Sequence, residues 1–187
     1  MPAEGAAPPS DHQLTTARTV IRTYQPADAE ALYQTVAASR EHIAQWLPWA
    51  PTHTSVEASR ELIHLFAAQW EQGAAFTYGV FARETGALLG GLGLHAHAWD
   101  VPSFEIGYWL AAEAEGHGYM TEAAAALVDY TLRELGARRI EIRCNALNTR
   151  SAAVARRLGF EQEALLRNHL RAHDGSLRDT LIFARVV

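Results

Sequence analysis

Cysteine is almost missing from this 187-residue chain. Cys144 stands alone, so no internal disulfide can form, and a reducing, cytoplasmic setting is expected. No run of about 18 apolar residues occurs, so no membrane-spanning helix is expected either. Positive charge is not in excess. Lys and Arg number 16 against 21 Asp and Glu, and the net charge of −5 argues against nucleic-acid or anionic-membrane partners. The opening "MPAEGAAPPSDHQ" lacks a basic segment followed by an apolar one, so it does not read as a secretory leader. Its Pro, Ala and Gly content reads as a disordered tail over residues 1–14. The chain is 49% hydrophobic, which suits one domain over residues 15–187 with its own core. Composition leaves the oligomeric state open, a homodimer included.

What is present alternates between strand and helix signals. "TVIRTY" (19–24) is β-branched and reads as a strand; Pro26 then suits the first position of a helix. Thr54 and Glu57 have capping-box spacing, and the helix they open carries Leu62, Ile63, Phe66 and Trp70 on one stripe before Gly73 stops it. Three strand-like segments follow: "AFTYGVFAR", "ALLGGLGLHAH" and "SFEIGYWL". After a long helix come the strand "RRIEIRC", a helix from about Thr149 to Leu158, and two strands flanking Asp174-Gly175, a hairpin signal. The order predicts an α+β fold: a mixed, mostly antiparallel twisted sheet of about seven strands, flanked by helices, with a β-α-β element at its centre.

The long helix has an unusual entrance. Gly116, His117 and Gly118 stand directly ahead of "YMTEAAAALVDYTLREL", where glycine favours neither helix nor core. A strand, a glycine loop and a helix N-terminus together present unpaired backbone N–H groups and the positive end of the helix dipole. Bare glycine backbone lets a phosphate come close, although a tight turn with glycines at positive φ would use the same residues. No Gly-Lys-Ser/Thr follows, so this is not a Walker loop. Thr121 stands where the third glycine of a dinucleotide fingerprint belongs, and Cys144-Asn145 replace the acidic residue expected at the end of the next strand.

The segments "EIGYWL", "EGHGYMTEA" and "LNTRSAAVARRLGFEQEALLRN", in that order, resemble the GCN5-related N-acetyltransferases (GNAT), in the RimJ/RimL-like branch that acetylates ribosomal-protein N-termini. The likeness runs from about Thr19 to Val187 and includes "LPW" near the front and the "DG" and "RD" pairs near the end. It implies the GNAT fold and a transfer of acetyl from acetyl-CoA to a primary amine, without a metal. The acceptor would be a protein N-terminal α-amine or a small-molecule amine. The family's Q/R-x-x-G-x-G/A pattern is met at Gly116 and Gly118 and departed from at Glu113. By resemblance, the backbone of Gly116, His117, Gly118, Tyr119, Met120 and Thr121 would hold the CoA pyrophosphate, with the His117 side chain a further charge beside it. The N–H groups of Tyr108, Trp109 and Leu110 would meet the pantetheine arm and thioester carbonyl. Met120, Ala123, Ala124, Leu127, Val128 and Leu135 form the packing stripe of the helix.

Direct transfer needs a positioned thioester, a neutral amine, oxyanion stabilisation and a proton for the leaving thiolate. An α-amine, with a pKa of about 8, is easier to deprotonate than lysine at about 10.4. Asn148 is a good N-cap, and Ser151 shares a stripe with Val154, Ala155 and Leu158, so its hydroxyl points inward toward a departing sulfur. Asn148 and Ser151 also match the family's N-x-x-S element; a serine serving only the cap is the simpler role. Glu105, on the central strand, and Glu163, after "GF", compete as general base, and either could be an ordinary salt-bridged strand residue. Trp46 and Trp49 would wall the acceptor groove together with Glu105, or else serve as buried anchors. His95 and His97 share one side of a strand without a convincing third ligand for a metal, and Arg156 and Arg157 are candidates for the CoA phosphates. A non-catalytic acyl-CoA-sensing module is the alternative within this fold, and a nucleotide-binding oxidoreductase is a weaker one outside it.

Overall fold

The computed structural model describes residues 7–172 and 175–187. Its strands are β1 (Gln13–Thr15), β2 (Thr19–Thr23), β3 (Ala75–Ala82), β4 (Leu88–Ala98), β5 (Ser103–Leu110), β6 (Arg139–Asn145), β7 (Glu161–Arg171) and β8 (Leu177–Val186). Helices α1 (Ala29–Ala38), α2 (Arg40–Ala44) and α3 (Val56–Glu71) lie between β2 and β3; α4 (Tyr119–Arg133) and α5 (Thr149–Arg157) flank β6. The strands form one sheet in the order β1-β2-β3-β4-β5-β6-β8-β7. Every neighbouring pair is antiparallel except β5–β6, the parallel pair of the β-α-β element whose crossover is α4. The mixed, mostly antiparallel sheet of the α+β expectation is present, with eight strands rather than about seven.

The additional strand, β1, arises where composition suggests a tail. Distant partners hold this segment from Pro8 onward. The Trp70 indole donates to the Pro8 carbonyl at 2.8 Å, His12 Nδ1 lies 2.9 Å from the Tyr78 hydroxyl, and the His12 ring sits 4.1 Å from that of Tyr130. Residues 1–6 of the expected tail, and Asp174 of the expected hairpin turn, lie outside the described residues. The start of α3 also differs by one residue. Ser55, not Thr54, is the N-cap, and its Oγ accepts the Ala58 N–H at 3.1 Å.

The two faces of the sheet are covered differently. On one, α4 lays Met120, Ala123, Ala124, Leu127 and Val128 against Ile21, Tyr78, Leu92, Leu94, Phe104, Ile106, Ile140 and Ile142, all buried, with Leu135 just beyond the helix. The alanines let the helix axis approach the sheet, and the larger side chains each contribute about 1.5–3 kcal/mol on burial. On the other face, Leu32 and Val36 of α1 and Ile63 of α3 pack with Tyr24, Phe81 and Leu88, and Trp109 joins them at the edge. Gly91 permits that: a Cβ there would run into the Trp109 indole.

One irregularity positions the site. Pairing between β5 and β6 covers only Ser103–Ile106 against Arg139–Ile142. Beyond it β5 continues with β4 alone, from Gly107↔Gly93 to Leu110↔Gly90. Meanwhile β6 continues with β8 alone, from Arg143↔Ile182 to Asn145↔Thr180. The strands therefore splay apart, leaving a wedge in the middle of the sheet.

Candidate active site

The wedge opens into a cleft of about 1350 Å³. Tyr108, Trp109 and Leu110 line it from β5, and Cys144 and Asn145 from β6. Past Ile106 the edge of β5 that faces β6 has no strand partner, so its backbone polar groups are available to a bound molecule.

The glycine loop forms one wall. Gly116 has φ +80 and Gly118 φ +79, both left-handed. Gly118 is the N-cap of α4, and no side chain caps the helix. Alternating negative and positive φ turns successive N–H groups toward one point, and the helix dipole adds to them. Positive φ and an anion cradle are therefore one geometry here: the turn needs glycine, and the turn is what aims the donors. Arg18 braces it from outside. Its Nη1 donates to the His117 carbonyl at 2.8 Å, and its Nη2 lies 2.7 Å from Glu122 Oε2. Burial would raise the Glu122 carboxyl, but hydrogen bonds from Thr16 and from the backbone and side chain of Arg18 outweigh it and hold the group below its ordinary range. The exposed His117 side chain is not among the residues lining the cleft, while Gly116, Gly118, Tyr119, Met120 and Thr121 are.

The opposite wall is the start of α5. Asn148 caps it by accepting the Ser151 N–H at 3.0 Å. That fixes Ser151, whose Oγ lies 3.0 Å from the Tyr108 hydroxyl; the hydroxyl also donates to the Ser151 carbonyl at 3.1 Å. Burial pushes the Tyr108 hydroxyl well above its usual pKa, so it stays protonated through the neutral range. Cys144, also on this wall, has its thiol raised by burial, against a smaller opposing effect of a hydrogen bond with Ser151. The Tyr108 hydroxyl is the functional group that sequence reasoning missed, since only the backbone of Tyr108 entered the expectation.

The two candidate bases part company. Glu105 lines the cleft, with Oε2 at 3.3 Å from Arg143 Nε and 3.4 Å from His97 Nε2. Glu163 is not a lining residue. Its carboxylate grips Arg139 with both oxygens, at 2.9 and 2.5 Å, and that hydrogen bonding lowers its pKa and weakens it as a base. Glu141 lies between Arg139 and Arg143 and pairs with both. Among the described residues, His97, Glu105 and Glu141 form a group with metal-ligand spacing, but Arg143 and Arg139 are already paired with both carboxylates.

The cleft is also lined by His42, Trp46 and Leu47, from α2 and the turn after it, and by His169, Leu170 and Arg178 of the β7–β8 hairpin, Arg178 Nη1 donating to the Trp46 carbonyl at 3.0 Å. Trp49 is not among the lining residues. It packs edge-on against Trp109 and His53, with ring centroids 5.9 and 6.1 Å away, and serves as an anchor under the groove. Glu115 bridges the cleft by binding His42 Nε2 at 2.8 Å and pairing with Arg150. Arg157 lines the cleft, whereas Arg156 lies over the Phe183 ring.

Residues 18–161 match the family model described as "Acetyltransferase (GNAT) domain". The Bacillus subtilis protein YdaF, provisionally named a ribosomal N-acetyltransferase, is 34% identical over 152 residues, covering 80% of this chain and 81% of that one. The Escherichia coli [ribosomal protein uS5]-alanine N-acetyltransferase is 28% identical over 184 residues, covering 92% and 89%. Among solved structures, RimL, a ribosomal L7/L12 alpha-N-protein acetyltransferase in complex with coenzyme A, superposes with a TM-score of 0.87 at 26% identity, covering 94% of this chain and 98% of its own.

Proposed function

Because the chain belongs to the acetyltransferase (GNAT) domain family and is an acetyl-CoA-dependent N-acetyltransferase, we propose that its acceptor is the α-amine of a protein N-terminus. The observation that carries this reading is the cleft that runs through the splayed sheet. It has a glycine donor loop and a half-buried hydroxyl pair on its walls, and Trp46 and His169 among the residues at its acceptor end. The names of the relatives support it, one being a [ribosomal protein uS5]-alanine N-acetyltransferase and another a ribosomal L7/L12 alpha-N-protein acetyltransferase. An α-amine is also neutral in about a tenth of molecules at pH 7, against fewer than one in a thousand for lysine.

Bound acetyl-CoA supplies the thioester, whose carbonyl is the electrophile and whose sulfur leaves. The N–H groups of Gly116 and Gly118–Thr121 receive the diphosphate, with those of His117 and the loop backbone completing the cradle. Backbone donors of Tyr108–Leu110 orient the arm and meet the oxyanion that develops on attack. Ser151 donates its hydroxyl proton toward the leaving sulfur as it takes the Tyr108 hydroxyl proton, and water entering the cleft returns a proton to Tyr108. Glu105 accepts the proton of the attacking amine; Glu163, bound to Arg139 outside the cleft, takes no part. Thiol release from acetyl-CoA with peptides of free serine or alanine N-terminus, against the same peptides N-terminally blocked, tests the assignment. Equal release with blocked peptides, or none with free ones, removes it.

A further inference from the structure

The hairpin at the acceptor end contains an irregularity that the transfer chemistry leaves unused. Between Leu166↔Thr180 and Leu170↔Arg178, β7 advances four residues while β8 advances two. The bulge contains Asn168 at φ 51, the one non-glycine residue in the left-handed region among those described. Its strain is held by Asp179: Oδ1 accepts the Asn168 N–H at 2.8 Å, and the Asp179 carbonyl accepts the Ala146 N–H at 3.0 Å. That ties the bulge to the loop that leads into Ser151. Bulges of this kind re-aim side chains at functional sites. Here the side chains set on the cleft are His169, steadied by Thr180 Oγ1 at 3.1 Å, and Arg178.

Arg178 is unlike the other arginines that form this wall. Arg143 and Arg150 are paired with carboxylates, and Arg157 is exposed to solvent. Arg178 is half-buried and makes no ion pair among the described residues. Its Nη1 is fixed by the Trp46 carbonyl at 3.0 Å, while Nε is buried without a hydrogen-bond partner. The Nε–Nη2 edge of a guanidinium is the two-pronged donor that matches a carboxylate or takes a carbonyl. A buried donor left unpaired is unfavourable, so a molecule that brings an oxygen to this edge is favoured over one that does not.

We propose that Arg178 anchors the acceptor. A modest turn of its guanidinium presents that edge to a carbonyl or carboxylate oxygen on the carbon next to the one bearing the attacking amine. The cleft thereby selects α-amino-acyl compounds over amines without that oxygen. The inference rests on the transferase reading above and adds to it the chemical feature by which the acceptor is recognised.

The test compares three acceptors at saturating acetyl-CoA: a serine-initiated peptide, free serine and n-propylamine. With kcat/KM expressed per unprotonated amine, wild-type enzyme is expected to use the peptide or free serine at least tenfold better than propylamine. In Arg178→Ala, kcat/KM for the favoured oxygen-bearing acceptor falls about 10- to 100-fold, mainly through KM, as loss of a charged hydrogen bond predicts. Propylamine and the KM for acetyl-CoA stay within threefold, and Arg178→Lys recovers part of the loss. Preference for the peptide assigns a carbonyl oxygen, and preference for free serine a carboxylate. Should Arg178→Ala not fold, Arg178→Lys still removes the two-pronged edge while leaving a donor for Trp46, and it must show a smaller loss confined to the oxygen-bearing acceptors. A parallel fall for propylamine would mean that Arg178 only clamps the Trp46 wall, and it overturns the inference alone. Absence of thiol release with every acceptor in the wild-type protein overturns both the transferase reading and this one.

Discussion

Replacing Tyr108 by Phe deletes a single oxygen, and the structure fixes what should follow. That hydroxyl stands 3.0 Å from Ser151 Oγ and donates to the Ser151 carbonyl at 3.1 Å. General acid catalysis contributes about 10²–10⁴-fold, but a thiol leaves readily, with an ordinary pKa near 8.5, so the lower part of the range applies. Tyr108→Phe and Ser151→Ala are each expected to lower kcat about 10- to 100-fold in a thiol-release assay, with KM for acetyl-CoA within threefold of wild type. Because the two hydroxyls serve one proton, the double variant should be no worse than about threefold below the poorer single. The lost hydrogen bond should lower stability by about 1 kcal/mol, or about 2–4 °C in Tm for a domain of this size. Burial raises the Tyr108 pKa, so the phenol remains protonated through pH 10, and the alkaline limb of the wild-type profile should persist in Tyr108→Phe. A double variant whose loss equals the product of the single losses would refute the shared proton path. So would two single variants of undiminished kcat.

Other outcomes follow from the same geometry. Gly118→Ala places a side chain at φ +79 with Cβ 3.5 Å from Arg18 Nη2, and it should lower stability by about 1–2 kcal/mol and weaken coenzyme A binding in calorimetry more than tenfold. Glu105→Gln should lower kcat at least tenfold, whereas Glu163→Gln should leave it unchanged; the reverse result would move the base out of the cleft. Asp28, Glu122 and Glu141 are each subject to burial that would raise their pKa, yet each ends below its ordinary value because arginine and hydrogen-bond partners prevail. Their contribution is present above pH 4.5 and is lost as pH falls through the lowered values. His12, His53 and His95, each lowered chiefly by burial, already favour the unfolded chain once pH falls below about 6.5, so Tm should decline gently from there and more steeply below about 4.5, measured by thermal melts from about pH 7.5 downward.

Much of this fold could be read from local pattern, because its strands alternate and its helices carry stripes. The stripe from Met120 to Leu135 is buried as drawn, and the inward position of Ser151 follows from Asn148 at the cap and Ala155 beneath it. The features that escaped are those made by residues far apart. Nothing in "PPSDHQLT" announces a strand: β1 has only three residues, paired with the neighbouring β2, and the contacts that seat the segment ahead of it, with Trp70 and Tyr78, reach across 62 and 66 residues. The Tyr108 hydroxyl meets Ser151 across 43 residues, and the Glu163 carboxylate meets Arg139 across 24. The "LPW" turn offered two tryptophans with equal claims on the groove. Only the placement of Trp109, over Gly91, decides that Trp49 goes beneath it and Trp46 beside it. Arg178 entered only as half of the "RD" pair, with no role attached, since an arginine in a strand usually faces water.

The four matched residues that join β5 to β6 are the narrowest seam in the interior of the sheet, only the edge pairing of β1 with β2 being shorter. Five strands lie on one side of it and three on the other, and the halves are otherwise joined by the packing of α4 and by side-chain bridges such as Tyr108–Ser151, Glu105–Arg143 and Arg178–Trp46. A molecule lodged in the gap with amide groups of its own touches both margins at once and acts as a splint. Its grip then reports how firmly the C-terminal hairpin is held to the rest, and substitutions along β8, remote from any phosphate, should be felt in the hold on the coenzyme.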